Sequence, residues 1–295
     1  SRSRDCFGAM RRSVFAATVS IVSLASAAAL ASVPPRHTSA NDLPMPMGRS
    51  VGSPTSGHLV GGAHLGDAPY IRVMPADRAG DVRWGLGSLV GMIDRAARRV
   101  RHLFPGAVLN VGHLSKRGGG GIEMHASHES GRDADLPFYV DDSHGKQIFS
   151  EHMVSFRGDG TSPVWPGARF DDAKNWALVA ALLDDPVAHV THIFVSAPLR
   201  ARLLAYAQHA DAPEELRTRA AFTMVQPHGT LPHDDHFHVR IGCPEGMRAC
   251  VENPAARFAR RAPHGRRHGH DAHGAEVHGA DVHGAEPHGA EPRGT

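Results

Sequence analysis

Cysteine is scarce in this chain, with three in 295 residues. Cys6 lies near the N-terminus, which leaves one pair downstream, Cys243 and Cys250 in "GCPEGMRAC". An even pair at short separation in an exported protein predicts a disulfide. Their spacing matches no common thiolate zinc pattern. Charge of one sign is also lacking. The formal net charge is +2, and acids and bases are well mixed. A dedicated nucleic-acid binder would carry a clustered basic face, so no nucleic-acid partner is expected. Long apolar runs are absent after residue 31, so no later segment is expected to span a bilayer.

The one early apolar run reads as an export signal. Arg11 and Arg12 follow Met10, and "SVFAATVSIVSLASAAALA" leads to an A-x-A site at Ala29-Leu30-Ala31. A charged start, a stretch of small apolar residues and a small-residue cleavage site form a secretory pattern. Residues 1–31 are therefore read as an N-terminal extension and signal peptide. A periplasmic protein with no stable membrane insertion after cleavage is expected. Residues 32–50, rich in proline and polar residues, read as a linker. Residues 259–295 form a histidine-rich tail with a five-residue repeat, "HGAEV HGADV HGAEP HGAEP". The tail has too little apolar surface to fold, so disorder is expected, and it is a candidate carrier of extra metal ions.

Between these lies a domain at 51–258 with interspersed helices and short strands, an α+β pattern. Strands are expected at 70–75, 107–115, 135–140, 190–196, within "FTMVQP" (222–227), and within "FHVRIG" (237–242). Helices are expected at 87–104, 170–185 and 198–210 from apolar spacing, the second with the acidic first turn that suits a helix dipole. The loop "KRGGGGIEM" lacks the Gly-Lys-Ser/Thr ending of a phosphate cradle and reads as a flexible rim. The expected fold is a small antiparallel sheet carrying a zinc site, with flanking helices and long loops.

Histidine is abundant, with 23 residues. Two clusters outside the tail carry chemistry. "HASHESGRDADLPF" (125–138) sets His128 seven residues before Asp135, and "PHDDHFHVR" (232–240) holds His233, His236 and His238. On a strand, His236 and His238 point to one face while Phe237 points to the core. His128, Asp135 and one histidine of "HFH" would make a three-ligand zinc site with an open position for water. The remaining histidine is then free to handle a proton. Asp234 and Asp235 are candidate acceptors that orient the imidazoles, and Asp133 reads as a loop or capping acid.

These residues resemble the penicillin-insensitive murein endopeptidases, within the zinc peptidases that include lysostaphin-type and D-Ala-D-Ala peptidases. The resemblance rests on "HASHESGRDAD" and "PHDDHFHVRIGCP", with further agreement in "SVGSPTSGHLVGG" (50–62), "RWGLGSLV" (83–90), "RFDDAKNWALV" (169–179) and "HIFVS" (192–196). It covers roughly residues 50–255. It implies one zinc ion on His128, Asp135 and His238, with His236 beside the metal-bound water. It implies that His233 meets the substrate or the developing oxyanion, and that His125 lies at the rim. Arg132 is a further candidate substrate contact, facing a substrate carboxylate. The implied activity is hydrolysis of the D-alanyl–meso-diaminopimelyl cross-link of peptidoglycan. One departure is His113, where the resemblance leads to an aspartate or asparagine. Two other readings are a D,D- or L,D-carboxypeptidase of the same group and a non-catalytic metal-binding protein dominated by its tail.

Overall fold

The computed structural model describes residues 47–123, 125–227 and 231–252. The expected signal peptide, most of the linker and the histidine-rich tail lie outside the described residues. In chain order the elements are β1 (Arg49–Ser53), β2 (Ser56–Val60), β3 (Ala63–His64), β4 (Ile71–Val73), α1 (Pro75–Ala79) and β5 (Trp84–Gly85). They continue with α2 (Gly87–Leu103), β6 (Leu109–Val111), β7 (Asp133–Pro137), β8 (Val140–Asp141), β9 (Arg169–Phe170) and α3 (Asp172–Leu183). The last are β10 (Val190–Phe194), α4 (Ala197–His209), α5 (Glu214–Thr223), β11 (Met224–Val225) and β12 (His236–Ile241). The α+β class is as expected. Because β1 starts at Arg49, the domain begins two residues inside the expected linker.

The principal sheet has the order β11-β10-β12-β7. β12 pairs antiparallel with both β10 and β7. The expectation of a purely antiparallel sheet needs correction, since β10 and β11 are parallel. The chain passes through α4 and α5 between them, and a helical crossover returns a strand in parallel. Elsewhere the strands pair in twos: β1-β2, β3-β5, β4-β6 and β8-β9.

Alternation along β12 and β7 decides what faces the core. Phe237, Val239 and Ile241 are buried on one side of β12, as are Ala134 and Leu136 on β7. Phe237 meets Phe138 edge-on with centroids 4.8 Å apart, and Phe138 meets Phe170 at 5.0 Å. Such aromatic pairs contribute about 0.5–1.5 kcal/mol beyond area burial. The opposite face of the two strands is left for His236, His238, Asp133 and Asp135.

Helices α2 and α3 pack against each other, and α3 meets α4 and α5, of which α5 lies against β10 and β11. The periodic positions of α2, Leu89, Val90, Ile93, Ala97 and Val100, are all buried. α3 begins where its acids demand. The Asp171 carboxylate accepts from the Lys174 backbone N–H at 2.9 Å, a cap worth about 1 kcal/mol. Arg202 of α4 then grips Asp172 with two hydrogen bonds of 2.6 Å.

After β12 the chain folds back as a strap. Cys243 and Cys250 form the expected disulfide, with Cα atoms 5.7 Å apart. On either side of Cys250, Gly52 N–H donates to Ala249 O and Val251 N–H donates to Gly52 O, both at 2.9 Å, tying the strap to the β1-β2 hairpin. Closing so short a loop stabilises by about 2–3 kcal/mol through the unfolded chain. The double variant Cys243→Ser/Cys250→Ser is therefore expected to unfold at lower urea than the parent. Reductant should shift the parent alone. Equal midpoints for the two chains in the absence of reductant would contradict this account.

Candidate metal centre

Asp135 stands at the centre of the site. It is fully buried on β7, and its Cα lies directly across the ladder from His238. Its backbone is held on the far edge too, because Asp135 N–H donates to His113 O at 2.8 Å and Gly112 N–H donates to Asp135 O at 2.9 Å. The carboxylate therefore has little freedom to move.

Three imidazoles converge on one of its oxygens. Oδ1 lies 3.3 Å from His128 Nε2, 3.4 Å from His236 Nε2 and 3.6 Å from His238 Nδ1. Oδ2 lies 3.7 Å from His125 Nδ1. Neither carboxylate oxygen has a hydrogen-bond partner among the described residues, and neither does His128 Nε2. Buried polar atoms left in this state cost about 1–3 kcal/mol each, more when charged. Ligands bound at about 2.0 Å on a tetrahedral ion stand about 3.3 Å apart. His128 Nε2 and His238 Nδ1 stand near that distance from Asp135 Oδ1, and the ligand atoms of the three residues all lie within 4.8 Å of one another. The donor set of two imidazoles and a carboxylate suits zinc chemically.

Each ring is aimed by a second bond. His128 Nδ1–H donates to Leu114 O at 2.9 Å, which leaves Nε2 for the site. His238 is turned the other way round. Its Nε2–H donates to Asp133 Oδ1 at 2.8 Å, which leaves Nδ1 for the site. Asp133 Oδ1 also accepts from Arg240 Nε at 2.6 Å. His236 Nδ1–H donates to Asp235 Oδ1 at 2.6 Å, as the sequence suggested for an adjacent acid. His128 itself takes a left-handed backbone, with φ 74°, and Ser115 Oγ donates to its carbonyl. Gly131, at φ 75°, then turns the chain into β7. A Cβ there would stand 2.7 Å from Leu59 Cδ1, so a side chain would clash as well as strain the backbone.

The charges follow from this geometry. Burial would raise Asp135, but the neighbouring His128 and His236 overcome it and hold the carboxyl well below the usual range. Burial would lower His128 and His236, but Asp135 overcomes it, raising His128 and pushing His236 up to about 10 with help from Asp235. His125 is lowered to about 4, chiefly by burial. His233 is lowered to about 4 by burial, then by the charges of His236 and His238. Without a cation, then, protonated imidazoles supply the positive charge around Asp135.

Most sequence-predicted residues meet here. His233 closes the other side, its ring centroid 5.0 Å from that of His236 and 5.5 Å from that of His238. It has φ 54°, and its Nδ1–H donates to Leu231 O at 2.9 Å. Arg132 does not join the site. Strand alternation turns it away from Asp133 and Asp135, and it is fully buried under the strap. There its guanidinium donates to Ile241 O, Val251 O and the Glu252 carboxylate. It is an anchor for the strap, and the expectation of a cleft arginine is corrected. Asp133 is likewise no loop acid but a buried strand residue; its place two residues from Asp135 on a strand was the available signal.

The glycine loop is less free than expected. Gly119, at φ 71°, lies against β2, where a Cβ would come within 2.1 Å of Glu129 O. Only glycine fits that approach.

Two predictions come from these bonds. Asp133→Asn weakens the acceptor that fixes His238, so zinc affinity measured by chelator competition should fall about 10–100-fold with the fold intact by circular dichroism. Unchanged affinity would contradict the role given to Asp133. For the metal-free chain, His125 and His233 bind protons less readily when folded, so stability is lost as pH falls from about 6.5 toward 4. His236 binds protons more readily when folded, so stability is lost as pH rises from about 6.5 toward 10. Thermal unfolding under chelator should show a maximum near neutrality that falls in both directions. A midpoint flat from pH 4 to 10 would contradict the charge assignment.

The comparisons with known proteins converge on one description. The family model for penicillin-insensitive murein endopeptidase matches residues 50–262. A Haemophilus influenzae protein of that name is 27% identical over 215 residues, covering 70% of this chain and 67% of its own length. One from Escherichia coli is 28% identical over 236 residues, covering 78% and 79%. One from Klebsiella pneumoniae is 28% identical over the same length, covering 78% of each.

Proposed function

This chain belongs to the penicillin-insensitive murein endopeptidase family, and from that premise we propose that it is an exported zinc peptidase that hydrolyses the D-alanyl–meso-diaminopimelyl cross-links of peptidoglycan. Peptidoglycan hydrolysis follows from the family. The observation that carries the zinc reading is the set of buried, unpartnered ligand atoms on His128 and Asp135 beside His238 Nδ1. Export is supported by the secretory pattern of residues 1–31 and by the disulfide, which oxidising compartments favour. Among the described residues no helix is long and apolar enough to cross a membrane.

His128, Asp135 and His238 would hold the ion. When bound, zinc supplies Lewis acidity to the scissile carbonyl and brings the pKa of its water near neutrality. His236 handles the proton. Its Nε2 faces the site, and its Nδ1–H is held by Asp235. Once a cation takes up the charge of Asp135, the main cause of the raised His236 pKa is removed. The ring can then stand neutral, accept a proton from water at Nε2, and return it to the leaving amine. His233 has its Nδ1–H committed to Leu231 O, so its Nε2 is an acceptor. It suits a substrate N–H better than a developing oxyanion. His125 lies at the half-exposed rim, where substrate passes. No serine or cysteine nucleophile is needed, so agents that acylate serine have no target here.

The test uses purified cross-linked muropeptides. Dimers should fall to monomers with the parent chain, and chelator should stop the reaction until zinc is restored. His236→Ala should keep zinc but lose about 10²–10⁴-fold in rate. Loss of only a terminal D-alanine would favour a carboxypeptidase. Zinc binding with intact dimers would refute the substrate while sparing the site.

A further inference from the structure

Three sets of side chains among the described residues have ligand atoms close enough to hold an ion: His128/Asp135/His238, His233/His236/His238 and His113/His125/Asp135. The first is the proposed catalytic set. The second competes with it. His238 Nε2–H is committed to Asp133, so only Nδ1 remains, and one nitrogen lone pair serves one ion.

The third set does not compete, because it shares a carboxylate. Asp135 has two oxygens, and they lie nearest different rings. Oδ1 faces His128, His236 and His238, while Oδ2 faces His125. Both oxygens are buried and lack hydrogen-bond partners among the described residues. His113 completes the set. Its Nδ1 lies 2.9 Å from Asp77 Oδ1 on a carboxylate that is almost fully buried, 3% exposed. Neither atom of that contact makes a hydrogen bond among the described residues, so the His113 ring is left unsatisfied at Nδ1. The rings of His113 and His125 lie side by side, with centroids 4.4 Å apart.

We propose that His113, His125 and Asp135 Oδ2 form a second site for a divalent transition ion, joined to the first by the Asp135 carboxylate. The proposal rests on the reading of His128, Asp135 and His238 as the first site. Two imidazoles and one carboxylate oxygen select zinc, cobalt or nickel over calcium or magnesium. His113 and His125 keep 29% and 23% of their side-chain surface exposed, whereas His128 is fully enclosed. The second site is accordingly the weaker and fills after the first. Two ions bridged in this way stand about 3.5–4 Å apart.

The experiment is anomalous diffraction at the zinc edge on crystals of the full chain, grown with one equivalent of zinc and with excess. Diffraction locates each ion, so zinc on the histidine-rich tail does not confuse the count. With one equivalent, a single peak is expected between His128 and His238. In excess zinc a second peak is expected on His113 and His125. His113→Ala and His125→Ala should each lose the second peak and keep the first, which also shows that the variant has folded. A first peak without a second in excess zinc overturns the proposal. So does a second peak that survives in both variants. Absence of zinc from His128 and His238 is a different result: it overturns the catalytic reading and the bridge along with it.

Discussion

A carboxylate with no hydrogen-bond donors of its own is buried at the middle of this structure. Asp135 is fully enclosed, and its oxygens face imidazole nitrogens at 3.3–3.7 Å, beyond hydrogen-bond range or poorly aligned for it. An isolated buried carboxylate is costly unless positive charge is brought to it. The surrounding rings can meet that need as imidazolium, or stand neutral around a cation. The second arrangement satisfies the lone pairs of both nitrogen and oxygen. Binding of a cation there would release those protons, as is general for ligands that must lose protons.

The rest of the fold keeps this arrangement in register. β12 is a central strand, so its histidines are fixed on both sides, by β7 and by β10. Phe237, set between the two histidines, is locked into an aromatic cluster with Phe138. A slip of one residue would place Phe237 in the site and the histidines in the core, so hydrophobic burial enforces the register of the ligands. On the other side, His128 lies outside any strand and needs more help. Leu114 O and Ser115 Oγ hold its ring and its carbonyl, and Gly131 turns the chain away behind it. His128 and His233 are two of the four non-glycine residues with positive φ among those described. Backbone strain of this kind costs about 1–3 kcal/mol each, and at these two positions it aims a ring into the site.

The elements legible in the sequence were those with a strong apolar period or a clear cap. α2, α3, α4, β10 and β12 lie within a few residues of where their patterns put them. α5 was missed because Leu216 and Ala220 are its only buried residues, too few to make a stripe. The β1-β2 hairpin was missed because serine and glycine dominate it, and its register depends on packing rather than propensity. "DLPFYV" read as one strand but forms β7 and β8. Between them Asn175 bonds both Tyr139 N–H and Tyr139 O at 2.9 Å, replacing the ladder with a side chain. Within the site, the two histidine motifs were readable because their residue types are rare together. Asp133 and Arg132 were not, since an acid and a base next to a glycine look like any polar loop. Which of them faces the histidine cluster depends on strand phase, and phase appears only once β7 is paired with β12.

The central claim is that His128 and His238 offer opposite nitrogens to one ion beside Asp135. Nitrogen-15 NMR of the histidine rings, with and without zinc, tests it most directly because it reports each ring separately from the tail. Zinc should lock His128 as the Nδ1–H tautomer with Nε2 bound, and His238 as the Nε2–H tautomer with Nδ1 bound. Rings that remain cationic in zinc, or that bind through the same nitrogen, would contradict it.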